Sequence, residues 1–357
     1  MALVCQILGK MEAGMLYCTY MAYKVQEKKP RKVFVYAVIA VVAAGLIGFF
    51  VGQKTAPVVV STTQSLRENN DAYKFIHPLL AVNRVDMDTP SPTYTNLSKT
   101  VSQFIDTEKS SGSLSDASVY FIDYKNNGGS FAINENDAYA PASLLKVVVM
   151  IGFLKESDSD NTLLSRQLVY NSSFSHLIDD IPFEMPSLLK TGESYTIGDL
   201  IHRMIVDSDN GAMYLLLDNI DNNYLSQVYT QLGLHIPTVD NPNYTISAKD
   251  YSLFFRILYN STYLSRESSE TALSYLSQVT FKDGLVAGLP AGTVVAHKYG
   301  EHVNGTDGNV DSVELHDCGY VYAPDAPYLL CVMTKSKTLD ESQKVISTIS
   351  KIIYNGR

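Results

Sequence analysis

Val33–Gly52, VFVYAVIAVVAAGLIGFFVG, is a run of twenty residues without a charge. At 1.5 Å per residue a helix of this length reaches about 30 Å, the thickness of the hydrocarbon core of a bilayer. The chain is therefore expected to cross a membrane once, at 33–52. Lys24, Lys28, Lys29, Arg31 and Lys32 crowd the positions just before the run, whereas only Lys54 lies between it and Arg67. The positive-inside bias places residues 1–32 in the cytoplasm and the rest of the chain outside the cell membrane. A cleaved signal peptide is the competing reading, but the run is longer than a signal core and no clear small-x-small cleavage site follows it.

This topology divides the charge. The 357 residues carry 28 Lys+Arg against 37 Asp+Glu, a net −9. Residues 1–32 hold six basic residues and two acids, so the remaining 22 bases and 35 acids leave residues 33–357 at −13. A body of that charge repels a phosphate backbone, and no stripe of Arg and Lys interleaved with aromatics appears, which excludes nucleic acid as the natural partner. With 46% hydrophobic and 18% charged residues the exterior has the composition of a globular domain rather than a disordered one. Four cysteines are too few for a disulfide scaffold. Cys5 and Cys18 fall on the cytoplasmic side. Cys318 and Cys331 fall outside on neighbouring strands, where a bridge and two buried thiols fit equally well.

Residues 53–94 read as a stalk or linker, rich in Ser, Thr, Asn and Pro, with apolar patches such as Phe75–Val82 suited to packing against a domain. From 95 to 357 the pattern is that of one α+β domain. Leu97, Val101, Phe104 and Ile105 mark an amphipathic helix, and Ala117–Tyr124 and Ser130–Ile133 form a hairpin across Asn126-Asn127-Gly128-Gly129. Ser143–Leu154 is apolar on all sides, a buried helix, and helical patterns follow at 197–206, 212–216, 224–232, 248–259 and 265–276. Strands return at Thr293–His297, Val313–Ala323 and Tyr328–Thr334, and a last helix opens with the capping box Thr338-x-x-Glu341. Strands from both ends enclose a helical middle. The expected fold is an α/β sandwich: an antiparallel sheet built from the two ends, flanked by helices, with an inserted all-α subdomain and a cleft between the lobes.

Ser143-Leu144-Leu145-Lys146 sets a hydroxyl and an amine one helical turn apart, on one face, at the start of the buried helix. A serine hydroxyl needs a base to become a nucleophile, and a lysine whose proton affinity is lowered by burial is such a base. Backbone N–H groups at the helix start add donors for an oxyanion. The same letters recur as Ser187-Leu188-Leu189-Lys190, but a polar Thr-Gly-Glu-Ser loop follows, so that copy reads as a surface coincidence. Sixty-five residues after Ser143 stands Ser208-Asp209-Asn210, and ninety further on Lys298-Tyr299-Gly300 ends a strand.

This ordered set resembles the serine penicillin-recognising enzymes, the class A β-lactamases most closely, whose motifs are S-x-x-K, S-D-N and K-T-G. The resemblance covers residues 95–357. It implies that Ser143 is the acylated nucleophile, Lys146 its proton acceptor, Ser208 a relay to the leaving nitrogen, and Asn210 a clamp on the substrate amide. Lys298 would supply positive charge near the substrate carboxylate and Ser208. The N–H groups of Ser143 and Glu301, the latter after Gly300, would form the oxyanion hole. Neither a cofactor nor a metal is implied, and no His pair has the spacing of a metal motif. Asp209 is expected to brace its turn, and His297 and His302 to take core or surface roles.

Two departures bear on the reaction. Tyr299 replaces a small hydroxyl residue, which alters recognition of a substrate carboxylate. The loop carboxylate that deacylates class A β-lactamases has no Glu counterpart: His235–Ile246 contains only Asp240, in an Asp-Asn-Pro turn, and the interval between the second and third motifs has only Glu267 and Glu270. The resulting expectation is a membrane-anchored extracytoplasmic serine hydrolase that forms an acyl-enzyme on Ser143 with a β-lactam or a D-Ala-D-Ala-type peptidoglycan peptide. The alternative is a penicillin- or cell-wall-peptide-binding protein without turnover. An idle fold is the poorest reading, because a buried Lys146 without a task is costly.

Overall fold

Large apolar side chains at alternate positions build the central sheet of the computed structural model, which describes residues 66–68, 72–81, 90–125, 129–171, 189–237, 244–306 and 309–357. Residues 1–32, the span at Val33–Gly52, Ser187 and Asp240 lie outside the described residues. Among those described, no helix is long and apolar enough to cross a membrane.

The strands are β1 (Leu66–Arg67), β2 (Leu79–Ala81), β3 (Leu114–Asp123), β4 (Gly129–Ile133), β5 (Ala138–Tyr139), β6 (Gln167–Val169), β7 (Ser194–Thr196), β8 (Ile246–Ser247), β9 (Val294–Thr306), β10 (Asn309–Tyr322) and β11 (Pro327–Ser336). The helices are α1 (Thr95–Ser111), α2 (Lys146–Ser157), α3 (Ile197–Val206), α4 (Asn210–Leu217), α5 (Asn222–Gln231), α6 (Ala248–Tyr259), α7 (Arg266–Leu276) and α8 (Leu339–Gly356). The main sheet runs β4-β3-β11-β10-β9, antiparallel throughout. Strands from both ends of the domain thus share one sheet, with the helices α2 to α7 between them in sequence, as the pattern of elements leads one to expect.

Both faces of the sheet are covered, and the period of two sorts the side chains. Leu330 and Val332 of β11 join Val119 and Phe121 of β3 in a core closed by α1 (Val101, Ile105) and α8 (Val345, Ile349). Their neighbours Leu329, Cys331 and Met333 face the other core, with α2 and α6. The α8 capping box forms, Thr338 and Glu341 each accepting the other's backbone N–H. Burying each such Leu, Ile or Val side chain contributes about 1.5–3 kcal/mol. Helix α2 is buried from Lys146 to Leu154, so its position is fixed from all sides. Cys318 and Cys331, opposite each other in the β10–β11 ladder, are joined as a disulfide with a Cα–Cα distance of 3.9 Å.

Two of the boundaries that differ from the sequence reading bear on the site. The buried helix begins as a 3-10 turn, Ala142–Leu145, before α2 proper. Strand β9 does not end at Lys298-Tyr299-Gly300: it continues to Thr306, with Val303 opposite Val313 and His302 opposite Glu314. The polar residues Glu301, His302 and Asn304 hide this extension, because the hairpin outruns the core that would impose an apolar alternation.

The chain before α1 packs on the domain. Leu66–Arg67 pairs with Leu79–Ala81, and Phe75 and Ile76 are buried. Three consecutive backbone N–H groups, of Lys74, Phe75 and Ile76, donate to the Glu270 carboxylate of α7 at 2.7–3.1 Å.

Candidate active site

Ser143 lies in the 3-10 turn that feeds α2, and the residue before it, Ala142, has φ +47°. Ser208 has φ +57°. A non-glycine residue in this left-handed region costs about 1–3 kcal/mol, so the surrounding contacts must hold both turns. The turn at Ser208 directs its carbonyl and its hydroxyl to one nitrogen: Lys146 Nζ stands 2.6 Å from Ser208 O and 3.0 Å from Ser208 Oγ. The same nitrogen is 2.9 Å from Ser143 Oγ and 2.5 Å from Asn210 Oδ1. Four oxygens therefore surround a group that carries at most three protons. A carbonyl and an amide oxygen only accept, whereas a hydroxyl also donates. When Lys146 is a free amine, its lone pair faces a serine O–H, the arrangement of a base beside a nucleophile.

The two hydroxyls are half-buried and reach solvent, while Lys146 and Lys298 are fully buried behind them. Lys298 Nζ donates to Ser208 Oγ at 3.0 Å and to its neighbour's carbonyl, Tyr299 O, at 2.9 Å. Burial holds its proton affinity well below that of an ordinary lysine, the Lys146 charge lowers it further, and Asp317 acts in the opposite sense. Ser208 Oγ thus bridges two amines, a path along which a proton can pass between them.

Strand β9 is pressed against the nucleophile's turn. A Cβ on Gly300 would lie 2.7 Å from Pro141 O and 3.1 Å from Leu144 N, so only glycine allows this approach. The contact sets the backbone of Glu301 beside the turn that carries Ser143. The structure therefore brings Ser143, Lys146, Ser208, Asn210, Lys298, Tyr299, Gly300 and Glu301 to one place. Asp209 caps α4 by accepting the Ala212 N–H at 3.0 Å, the bracing role expected of it. Lys190, in the second S-x-x-K, is exposed and lies 3.7 Å from Glu193. Glu270 is committed to the segment 74–76, and Glu267 is exposed beside Tyr73, so neither Glu of the interval between the second and third motifs lies at the site. His302 is exposed, whereas His297 is buried with Nδ1 2.7 Å from Asp317 Oδ1.

Sequence reasoning misses the residues that hold these parts in place. Glu314 Oε2 accepts the Ala140 N–H at 2.9 Å, and His316 Nε2 donates to the Ala140 carbonyl at 3.0 Å, so β10 grips the backbone three residues before the nucleophile from both sides. Burial pushes His316 down to about 4, which keeps it neutral and its single N–H on that carbonyl. Tyr251 of α6 donates to the Leu144 carbonyl at 3.1 Å. The only sequence trace of Glu314 and His316 is a pair of titratable residues spaced by two, followed on the same face by Cys318, Tyr320 and Tyr322.

No curated protein matches the chain. Its fold is similar to that of PBP-A, at a TM-score of 0.61 and 22% identity over 75% of this chain and 97% of that one. It is similar to a β-lactamase from Chitinophaga pinensis DSM 2588 at 0.61 and 20%, over 73% and 99% of the two chains. A class A β-lactamase representative from Bacteroides cellulosilyticus DSM 14838 gives 0.60 and 19%, over 73% and 98%. At these identities the likeness shows a shared fold. Residues 96–356, which contain the three motifs and the whole of the main sheet, match the Beta-lactamase enzyme family, and the chain belongs to that family.

Proposed function

We propose that the protein is a membrane-anchored, extracytoplasmic serine hydrolase that forms an acyl-enzyme on Ser143 with a β-lactam or a D-Ala-D-Ala-type peptide. The observation that carries this reading is the Lys146 nitrogen held within 3.0 Å of both Ser143 Oγ and Ser208 Oγ in a buried setting. Ser143 Oγ attacks the carbonyl carbon while its proton passes to the Lys146 amine. The oxyanion is received by the N–H groups of Ser143 and Glu301, and Asn210 orients the substrate amide. The C–N bond then breaks. The leaving nitrogen takes the Ser208 proton, which Lys146 replaces, while Lys298 stabilises the charge that passes through Ser208. A PBP-A variant has been captured as an acyl-enzyme with penicillin G, on a fold similar to this one. The anchor is the uncharged run 33–52, with residues 1–32 in the cytoplasm.

Release of the acyl group is the weak step. With Glu267 and Glu270 engaged elsewhere, Asp240 is the one acidic candidate in the loop where the family places its deacylating carboxylate. That supports a second reading, a receptor for penicillin or cell-wall peptide that does not turn over.

Intact-mass measurement after incubation with labelled penicillin separates these readings. The expected result is an adduct on the wild type that is absent from Ser143→Ala and persists for many minutes. A wild type that gains no mass refutes both acylation readings. Rapid loss of the adduct with ring-opened product shows efficient turnover and assigns a water-activating base, for which Asp240→Asn is the next variant.

A further inference from the structure

Adjacent residues of a strand point to opposite faces, yet the Lys298 ammonium lies 4.1 Å from the centre of the Tyr299 ring. The two side chains meet around the edge of β9 that carries no partner strand among the described residues. The Tyr299 ring also stacks on Phe281, with centroids 4.2 Å apart and planes 22° from parallel. Phe281 is fixed there by its neighbour: Thr280 donates its N–H and its hydroxyl to Val206 O, both at 3.0 Å, two residues before Ser208. The aromatic pair is half-buried and stands beside the hydroxyl that bridges Lys146 and Lys298.

This arrangement uses up the positive charge that a substrate carboxylate would need. Lys298 is 0% exposed; its N–H groups go to Ser208 Oγ and Tyr299 O, and the ring covers the third direction. Lys282, next to Phe281, turns its ammonium to the Val279 carbonyl. Arg67 is bonded to Asn260, and Arg166, Arg203, Arg266 and Arg357 each pair with a carboxylate. Negative charge stands close by: Asp317 is paired with Tyr299 in the ladder and buried, and Glu301 shares the strand face of Tyr299.

We propose that Phe281 and Tyr299 form the specificity wall on the leaving-group side of the site, and that they select acyl donors with an uncharged leaving group, an ester or amide, over donors that carry a free carboxylate there. The inference rests on the acyl-enzyme reading above and ranks its donors: penicillins and D-Ala-D-Ala-type peptides, which carry a free carboxylate on the leaving side, are still accepted but are the slower ones. A neutral group lies flat on the aromatic pair, whereas a carboxylate has to lift the ring from Lys298 and lose its hydration beside Asp317.

The test compares penicillin G with its methyl ester, in which a neutral ester replaces the carboxylate on the leaving side, in the rate at which each acylates Ser143 of the full chain. Hydroxide hydrolysis of both supplies the intrinsic reactivity. After that correction the ester is expected to react faster than the acid by about tenfold, the scale of one well-placed contact. Tyr299→Phe, which keeps the ring, retains this ratio, and Tyr299→Thr shifts it toward the acid by about tenfold. A corrected ratio that favours the acid or neither overturns the inference while leaving the acyl-enzyme reading intact, as does a ratio that Tyr299→Thr leaves unchanged. If Tyr299→Thr does not fold, the wild-type ratio and Phe281→Leu decide. Absence of an adduct from either compound on the wild type overturns the acyl-enzyme reading, and this inference with it.

Discussion

His316 is fully buried, with Nε2 donating to the Ala140 carbonyl, and burial lowers its proton affinity from the usual 6.5 to about 4. The unfolded chain therefore binds a proton in that window that the folded chain does not, so stability rises with pH from about 4 to 6.5 and is lost as the pH falls through it. Urea unfolding of the wild type is expected to show this loss between pH 6.5 and 4, and His316→Gln, which keeps a donor for Ala140 but does not titrate, to flatten the profile. Equal slopes for the two proteins would remove His316 from the account. The acylation rate of His316→Gln at pH 7 should stay close to that of the wild type, because the carbonyl keeps its partner. Ser143, Lys146, Ser208, Asn210 and Lys298 are legible in the sequence because three short motifs in one order carry them. Glu314, His316 and Asp317 are not. Their partners Ala140, His297 and Leu285 lie in three other parts of the chain, and only the folded structure brings them to β10.

At the scale of elements the site exists because an edge strand and a 3-10 turn touch without a side chain between them. Gly300 makes that contact possible, since a Cβ there would press on Pro141 O and Leu144 N. Both are backbone atoms of the nucleophile's turn and cannot swing aside as a flexible side chain can. Gly300→Ala is therefore expected to cost about 1–3 kcal/mol of stability. It should also slow penicillin acylation by about a hundredfold or more, since small misplacements of reacting groups cost that much. Stopped-flow acylation combined with thermal unfolding checks both, and a variant that acylates normally would show that β9 and the turn can separate without harm. The sequence shows the strands and helices of this region by period and caps, and Thr338-x-x-Glu341 is realised as read. It misplaces the end of β9, because beyond Gly300 pairing with β10 alone defines the strand and no apolar alternation marks it. It also merges the 3-10 turn with α2, since Leu144 is apolar and buried in either geometry.

Across the whole domain, helix α6 links the site to the segment that precedes the domain. Tyr251 near its start holds the Leu144 carbonyl, while at its end the carbonyls of Tyr259 and Asn260 accept the N–H groups of His77 and Leu79. Eight residues of helix separate Tyr251 from Tyr259, about 12 Å. The segment is tied down at further points: Arg67 donates to His77 O and Asn260 Oδ1, Tyr322 OH donates to Phe75 O, and Arg266 pairs with Glu68. Residues 53–94 read as a stalk because Ser, Thr, Asn and Pro are frequent there, and the bonds that dock 66–81 reach partners nearly two hundred residues away or more. Glu270 is the centre of this attachment, with three consecutive N–H groups on one carboxylate. A carboxylate that accepts backbone N–H groups forms charge-assisted bonds, each worth about 1.5–3 kcal/mol, and truncation leaves those donors facing the helix. Glu270→Ala is expected to lower stability by about 2–3 kcal/mol and to open the region around 72–81 to limited proteolysis, while the rate of acylation of Ser143 changes less than about twofold. A digest followed by mass mapping locates the cut, and the penicillin adduct reports the site. Protection of 72–81 equal to that of the wild type would mean that the apolar contacts of Phe75 and Ile76 hold the segment without Glu270. A large loss of acylation in a folded Glu270→Ala protein would mean that α6 and α7 transmit the docking to the nucleophile's turn.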